Sequence, residues 1–324
     1  MNILVVRNDK LGDFITALPA IYLLKKHNKD FKIHVLVAPL NKELATTCSF
    51  IDEVIVDDTT NAVTLANKLR PYKIELSFTM FSNTKVALAQ SLSSIKTRVA
   101  PATKIAQIFY NKRVKQRRSK VEMSEYEYNI ELVKSYFSDL NTHFPTPLLH
   151  VEESSQIFNN FKNELNLTKD IVVFHPGFGG SSDANLTNEE YFKLIKIAST
   201  CSVDVVVTFG PDEKRLYDIF NKEFSSSTVK LYISQDGLIN FAALLSHVKL
   251  FISTSTGTYH LAALVGTPTF TFFANTLFAS VKRWRAISSD HIQHPYMLSK
   301  ERSEYNKLFK KIQIDLKNVI DDKS

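Results

Sequence analysis

Apolar residues in the first half of the chain fall in short runs, separated by stretches where they recur at helical spacing. The runs 3–6, 32–37, 53–56, 74–78 and 97–99 predict strands, and 13–27 and 62–69 predict helices. Residues 100–124 break the rhythm: they are basic and polar and read as a long excursion, the kind of loop that often carries function. A helix is predicted over 125–137, and Pro145 and Pro147 then mark a boundary. The alternation restarts with strands at 171–174, 204–209, 230–233, 250–253 and 267–273, and helices at 188–199, 212–224, 238–246 and 259–265. Strand–helix alternation of this kind specifies parallel α/β sheets. The expectation is two Rossmann-like domains, 1–150 and 151–324, with the last helix packing back on the first. Ligands of open α/β sheets sit beyond the carboxyl ends of the strands, so two such domains facing each other would enclose a cleft.

Composition narrows the class. At 44% hydrophobic and 23% charged residues the chain is an ordinary globular one, and 324 residues suit two domains. Cys48 and Cys201 are far apart and lack metal-ligand spacing, which argues against a disulfide framework and for a reducing compartment. No charged segment precedes a long apolar one at the start, so no secretory signal is read. The most apolar stretch, 261–273, is split by Gly266 and Pro268, so no bilayer span is expected and a cytoplasmic location follows. The net charge is +7 and is unevenly placed: Lys112, Arg113, Lys115, Arg117, Arg118 and Lys120 are crowded together. Such a patch can hold phosphate, anionic lipid or nucleic acid, or be a solvated loop. Only Phe109 and Tyr110 lie beside it, too few aromatics for a nucleic-acid surface, and no nucleic-acid partner is expected.

Four segments could carry chemistry. Arg7-Asn8-Asp9-Lys10-Leu11-Gly12-Asp13 follows the first strand; Gly12 permits a tight turn, and Asp13 can cap the next helix or act as a general base. No G-x-G-x-x-G occurs there, which removes the main support for a dinucleotide enzyme. His175-Pro176-Gly177-Phe178-Gly179-Gly180-Ser181-Ser182 is a glycine-rich turn whose amides could cradle phosphate, or simply a flexible loop. Ser253-Thr254-Ser255-Thr256-Gly257-Thr258-Tyr259-His260 places hydroxyls and free amides at a helix start, either an anion site or an ordinary cap. Phe209-Gly210-Pro211-Asp212-Glu213 puts an acid where ribose hydroxyls could be reached. No D-x-D, H-E-x-x-H or cysteine pair suggests a metal, and no cofactor is expected.

Taken in this order, the segments resemble glycosyltransferase family nine, the ADP-heptose:lipopolysaccharide heptosyltransferases. The resemblance rests on residues 3–21, on 175–181, and on 255–273, where Thr256-Gly257 and His260 match the family's signature. It implies the B-type glycosyltransferase architecture and inverting, metal-independent transfer from a nucleotide sugar, ADP-heptose, to an anionic glycolipid at the cytoplasmic face of the inner membrane. By resemblance Asp13 is the catalytic base. Gly177, Gly179, Gly180, Ser181, Glu213, Ser255, Thr256, Gly257 and His260 bind donor, and Arg7, Lys10, Gly12, Lys115, Arg117 and Arg118 bind acceptor. Three positions depart from the family pattern: Ser255 replaces an acid, the lysine after the glycine loop is missing around Ala184, and Ala274 replaces a glycine. The alternative these departures leave open is a non-catalytic nucleotide-sugar-binding protein that kept the fold.

Overall fold

In the computed structural model, which describes residues 1–103, 105–178 and 185–322, the chain forms two α/β units, Met1–Pro145 and Thr146–Ser324. The first contains β1 (Asn2–Arg7), β2 (Lys32–Val37), β3 (Glu53–Val56), β4 (Leu76–Thr79), β5 (Thr97–Pro101) and β6 (Lys112–Val114). The second contains β7 (Ile171–His175), β8 (Asp204–Phe209), β9 (Lys230–Ile233), β10 (Leu250–Thr254), β11 (Thr269–Ala274) and β12 (Gln293–Leu298). Each unit has one six-stranded sheet, ordered β3-β2-β1-β4-β5-β6 and β12-β11-β10-β7-β8-β9, and all ten strand pairings are parallel.

The order fixes where ligands belong. In the first sheet the direction of strand addition reverses between β1 and β4, in the second between β7 and β10. Crossover connections leave such a reversal point open at the carboxyl ends of the strands. The segments beginning at Arg7, His175 and Ser253 are the ones that emerge there.

The central strands are buried on both faces, as helices on either side of a parallel sheet require. Leu4, Val6 and Leu36 pack on Leu65, Leu69, Val86 and Ala89 of the helices Ala62–Leu69 and Thr84–Leu92. In the second unit Val172, Phe174, Val207 and Phe272 pack with Tyr191, Leu194 and Phe220. The final helix, Arg302–Asp321, places Phe309, Ile312, Leu316 and Ile320 in this same core. The division at Pro145/Thr146 precedes the boundary read from the sequence at 150 because Leu148 and Leu149 both donate backbone hydrogen bonds to the Leu264 carbonyl of the second unit, at 3.1 and 3.2 Å.

Two strands went unread. The basic excursion holds β6, an edge strand, together with short 3₁₀ helices at Ile105–Phe109 and Arg118–Lys120. The sequence Gln293–Leu298 forms β12, the opposite sheet's edge, where Pro295 is tolerated because one side of the strand has no partner. Among the described residues no helix is long and apolar enough to cross a membrane.

Candidate functional site

At the reversal point of the first sheet, β1 ends on Arg7 and the helix Leu11–His27 begins four residues later. Lys10, in extended backbone and without a side-chain cap bond, occupies the cap position. Asp13 lies in the first turn, and its carboxylate is engaged by the guanidinium of Arg7. Arg7 is only 4% exposed, and its Nε also donates to Asp9 Oδ1 at 3.0 Å. One buried cation therefore serves two carboxylates. Burial alone would lower the Arg7 pKa, but the fields of Asp9, Asp13 and Glu125 outweigh it and the net shift is upward. The Asp9 carboxyl is raised to about 6, by burial first and by the nearby Asp13, against the downward pull of Arg7.

Neighbouring strand ends pin this loop. The buried Asn41 donates to the Asp9 carbonyl at 3.1 Å. Asn8 donates to Asp57 at 2.6 Å, and Asp57 is held in turn by Lys85 at 2.7 Å. The Asp13 carboxylate is thus engaged by a buried arginine beside a loop that neighbouring strand ends pin.

The basic segment divides in two. Arg118 turns inward: it pairs with the buried Glu125 at 2.9 Å, donates to Asn129 at 3.2 Å and covers the Tyr128 ring at 5.3 Å. Asn129 continues to the Thr16 carbonyl of the helix that bears Asp13, at 3.1 Å. Lys115 and Arg117 remain exposed. Of the three cations in this segment read as acceptor contacts, Arg118 is committed to holding the helix Glu125–Lys134 against the Asp13 helix, while Lys115 and Arg117 are open to a ligand.

In the second unit, β7 delivers His175, β8 leads to Glu213, and β10 leads to the helix Gly257–Leu264. His175 is buried and meets the Thr208 hydroxyl through Nδ1 at 3.0 Å; burial lowers its pKa despite the opposing field of Glu213. Glu213 accepts the Gly210 amide at 2.7 Å, and its carboxylate lies where a Cβ on residue 177 would be. A side chain at Gly177 would therefore have to push the Glu213 carboxylate aside.

Thr256 is the cap residue of the helix Gly257–Leu264, yet its side chain caps nothing: its hydroxyl meets that of Thr258 at 2.9 Å. The Thr256 side chain thus leaves the positive end of the helix uncapped, beside the half-open Ser255 and Gly257. His260, one turn further, is buried, its Nδ1 has no hydrogen-bond partner among the described residues, and its ring edges that of Trp284 at 6.2 Å. Gly179, Gly180 and Ser181 lie outside the described residues. Among the described residues no group of three or more His, Cys, Asp or Glu side chains is arranged to hold a metal ion.

The His260 environment makes a pH prediction. Burial lowers its imidazole to about 4, against about 6.5 in an unfolded chain. On acidification the unfolded state therefore takes up this proton first, so stability is full above about pH 6.5 and is lost progressively down to about pH 4. The contribution is about 3 kcal/mol at most. Urea midpoints followed from about pH 7 to about pH 4 should fall for the wild type and fall less for His260→Phe; parallel curves would show that His260 gains no buried neutral state on folding.

A family model for glycosyltransferase family 9 (heptosyltransferase) matches residues 62–311, which includes the Glu213 turn and the helix Gly257–Leu264. The chain belongs to glycosyltransferase family 9. A Haemophilus influenzae protein described as a candidate glycosyltransferase is 38% identical over 299 residues, covering 88% of this chain and 86% of that protein. Lipooligosaccharide heptosyltransferase 2 of Campylobacter jejuni is 25% identical over 295 residues, covering 85% of this chain and 81% of that one. The structure of the E. coli ADP-heptose lps heptosyltransferase II superposes with a TM-score of 0.81 at 17% identity, covering 99% of this chain and 98% of that one. This likeness gives the fold: two parallel α/β sheets in the B-type glycosyltransferase architecture.

In this family 9 glycosyltransferase the structure places Arg7, Gly12 and Asp13 at one sheet edge, with Lys10 exposed beside them; Gly177, Glu213, Ser255 and Thr256 lie in the turns after β7, β8 and β10 of the other sheet, with Gly257 and His260 in the helix that follows β10. Sequence reasoning missed Asp9, although its spacing from Asp13 puts both acids around one strand-end arginine. It also missed Glu125 and Asn129, and gave His175 no role within the segment that it opens. Glu125 looks like a surface acid in a Glu- and Tyr-rich helix, and only its burial beside Arg118 shows otherwise.

Proposed function

We propose that this protein is an inverting, metal-independent heptosyltransferase that moves heptose from ADP-heptose onto an anionic lipooligosaccharide core at the cytoplasmic face of the inner membrane. The observation that carries the reading is the uncapped start of the helix Gly257–Leu264 at the reversal point of the second sheet, in a chain of this family. Backbone amides and the helix end favour a diphosphate there and stabilise the charge that develops as it leaves. Glu213, beside Gly177, serves the ribose hydroxyls. Asp13, oriented by Arg7, takes the proton of the acceptor hydroxyl as that oxygen attacks the anomeric carbon. The nucleoside diphosphate departs from the opposite face, which inverts the configuration. Lys115 and Arg117 receive the acceptor's phosphate or carboxylate groups.

Ser255 bears on the donor. An acid at this position would accept hydrogen bonds from the sugar, and serine offers a shorter, neutral group, so the donor sugar is held more loosely than in family members that carry the acid. A non-catalytic sugar-nucleotide binder would fit Ser255 equally well, but it would have no use for two carboxylates organised around a buried arginine. Mass spectrometry of the surface glycan from cells lacking the protein tests the assignment. Loss of one heptose and everything beyond it is expected, and an unchanged core glycan would contradict it.

A further inference from the structure

The residues from Leu76 to Val121 include ten lysines and arginines and no aspartate or glutamate, whereas the rest of the chain has thirty basic and thirty-three acidic residues. The net positive charge of the protein therefore resides in this stretch. Lys85 and Arg118 are spent on Asp57 and Glu125, whereas Lys96, Lys112 and Arg113 form no ion pair with an acid among the described residues and are exposed at the outer edge of the first sheet. Lysine and arginine on an edge strand are ordinary protection against edge-to-edge pairing. What sits beside them is not: Ile105 is 80% exposed and Ile108 is 62% exposed.

These isoleucines are not on a fraying tail. They belong to the 3₁₀ helix Ile105–Phe109, in which residues three apart eclipse one another. Ala106 and Phe109 form one such pair and pack with Ala87, Ala100 and Tyr110, so the other pair, Ile105 and Ile108, is turned away from the core. The turn that follows is pinned. Asn111 accepts the Arg98 amide at 2.8 Å and donates to the Lys96 carbonyl at 2.6 Å, Arg98 Nε donates to the Phe109 carbonyl at 2.8 Å, and Arg113 Nε donates to the Tyr110 carbonyl at 3.1 Å. The same bonds bring Lys96, Lys112 and Arg113 around the turn that carries the isoleucines.

We infer that this surface docks the protein on an anionic lipid bilayer, with Ile105 and Ile108 entering the acyl boundary and Lys96, Lys112 and Arg113 meeting the headgroups. Two exposed aliphatic side chains on one helical turn, beside exposed cations on the same sheet edge, fit an apolar layer beneath a negative one. A second copy of this chain fits poorly, because a symmetric interface would place these cations against themselves. The inference goes beyond the transfer reaction and does not depend on it.

The test is sedimentation of the full-length protein with vesicles of phosphatidylcholine alone or mixed with phosphatidylglycerol. Binding is expected only to the mixed vesicles, weakening with added salt. Ile105→Ser/Ile108→Ser should lower the partition coefficient at least roughly ten-fold, and Lys96→Gln/Lys112→Gln/Arg113→Gln should lower it by a similar factor or more. Both variants should keep the wild-type melting temperature and, with a water-soluble, deacylated acceptor, the wild-type transfer rate. Wild-type partitioning by the isoleucine variant overturns the inference, as does equal binding to neutral vesicles. Absence of transfer by the wild type would tell against the proposed function and leave the vesicle result standing.

Discussion

Asp13→Asn should reduce sugar transfer by roughly two to four orders of magnitude, the usual contribution of a positioned general base. Donor affinity should stay within a few-fold of wild type, because the donor-binding residues proposed above all belong to the other unit. Asparagine keeps the shape of the side chain and can still accept a hydrogen bond from Arg7, whose remaining partner Asp9 lies at 3.0 Å. The fold of the loop should therefore survive, and an unchanged melting temperature would separate a chemical loss from a structural one. Turnover by Asp13→Asn at the wild-type rate would remove Asp13 from the mechanism.

Gly257→Val should have the second large effect. Gly257 is the first residue of the helix that the Thr256 side chain leaves uncapped, and a β-branched side chain there would crowd a bound diphosphate. Losing two hydrogen bonds to a charged group costs roughly a hundred-fold or more in affinity. Calorimetric titration with ADP should show that loss, while far-ultraviolet circular dichroism stays near wild type. His260→Ala should weaken ADP binding less, since it removes at most one side-chain contact of roughly 0.5–3 kcal/mol. Ser255→Asp should leave ADP affinity nearly unchanged and alter the discrimination between ADP and ADP-sugars. ADP binding by Gly257→Val at wild-type affinity would mean that the helix start does not receive the diphosphate.

The sequence revealed the architecture where burial is strong and hid it where burial is weak. Central strands such as β1, β7 and β10 read directly, because a strand covered on both faces must be continuously apolar. The edge strands β6 and β12 did not: Lys112 and Arg113 make one look like a loop, and Pro295 disguises the other. The site was legible in the same uneven way. Segments that leave strand ends at Arg7, His175 and Ser253 announced themselves by their glycines, acids and hydroxyls. The pairings between them did not. That Arg7 serves two acids, that the Glu213 carboxylate lies where a side chain on Gly177 would be, and that Arg118 faces inward to Glu125 are facts of three-dimensional packing with no periodic trace. Arg118 shows the difference plainly, since in sequence it cannot be told from Arg117 beside it.

The central claim is transfer of heptose, and it is tested most directly by incubating the purified protein with ADP-heptose and a deacylated lipooligosaccharide core in excess chelator. The product is read by mass spectrometry and the anomeric configuration by nuclear magnetic resonance. The account predicts an acceptor heavier by one heptose, an inverted anomeric centre and one ADP released per product. An acceptor that gains no heptose from ADP-heptose would contradict it.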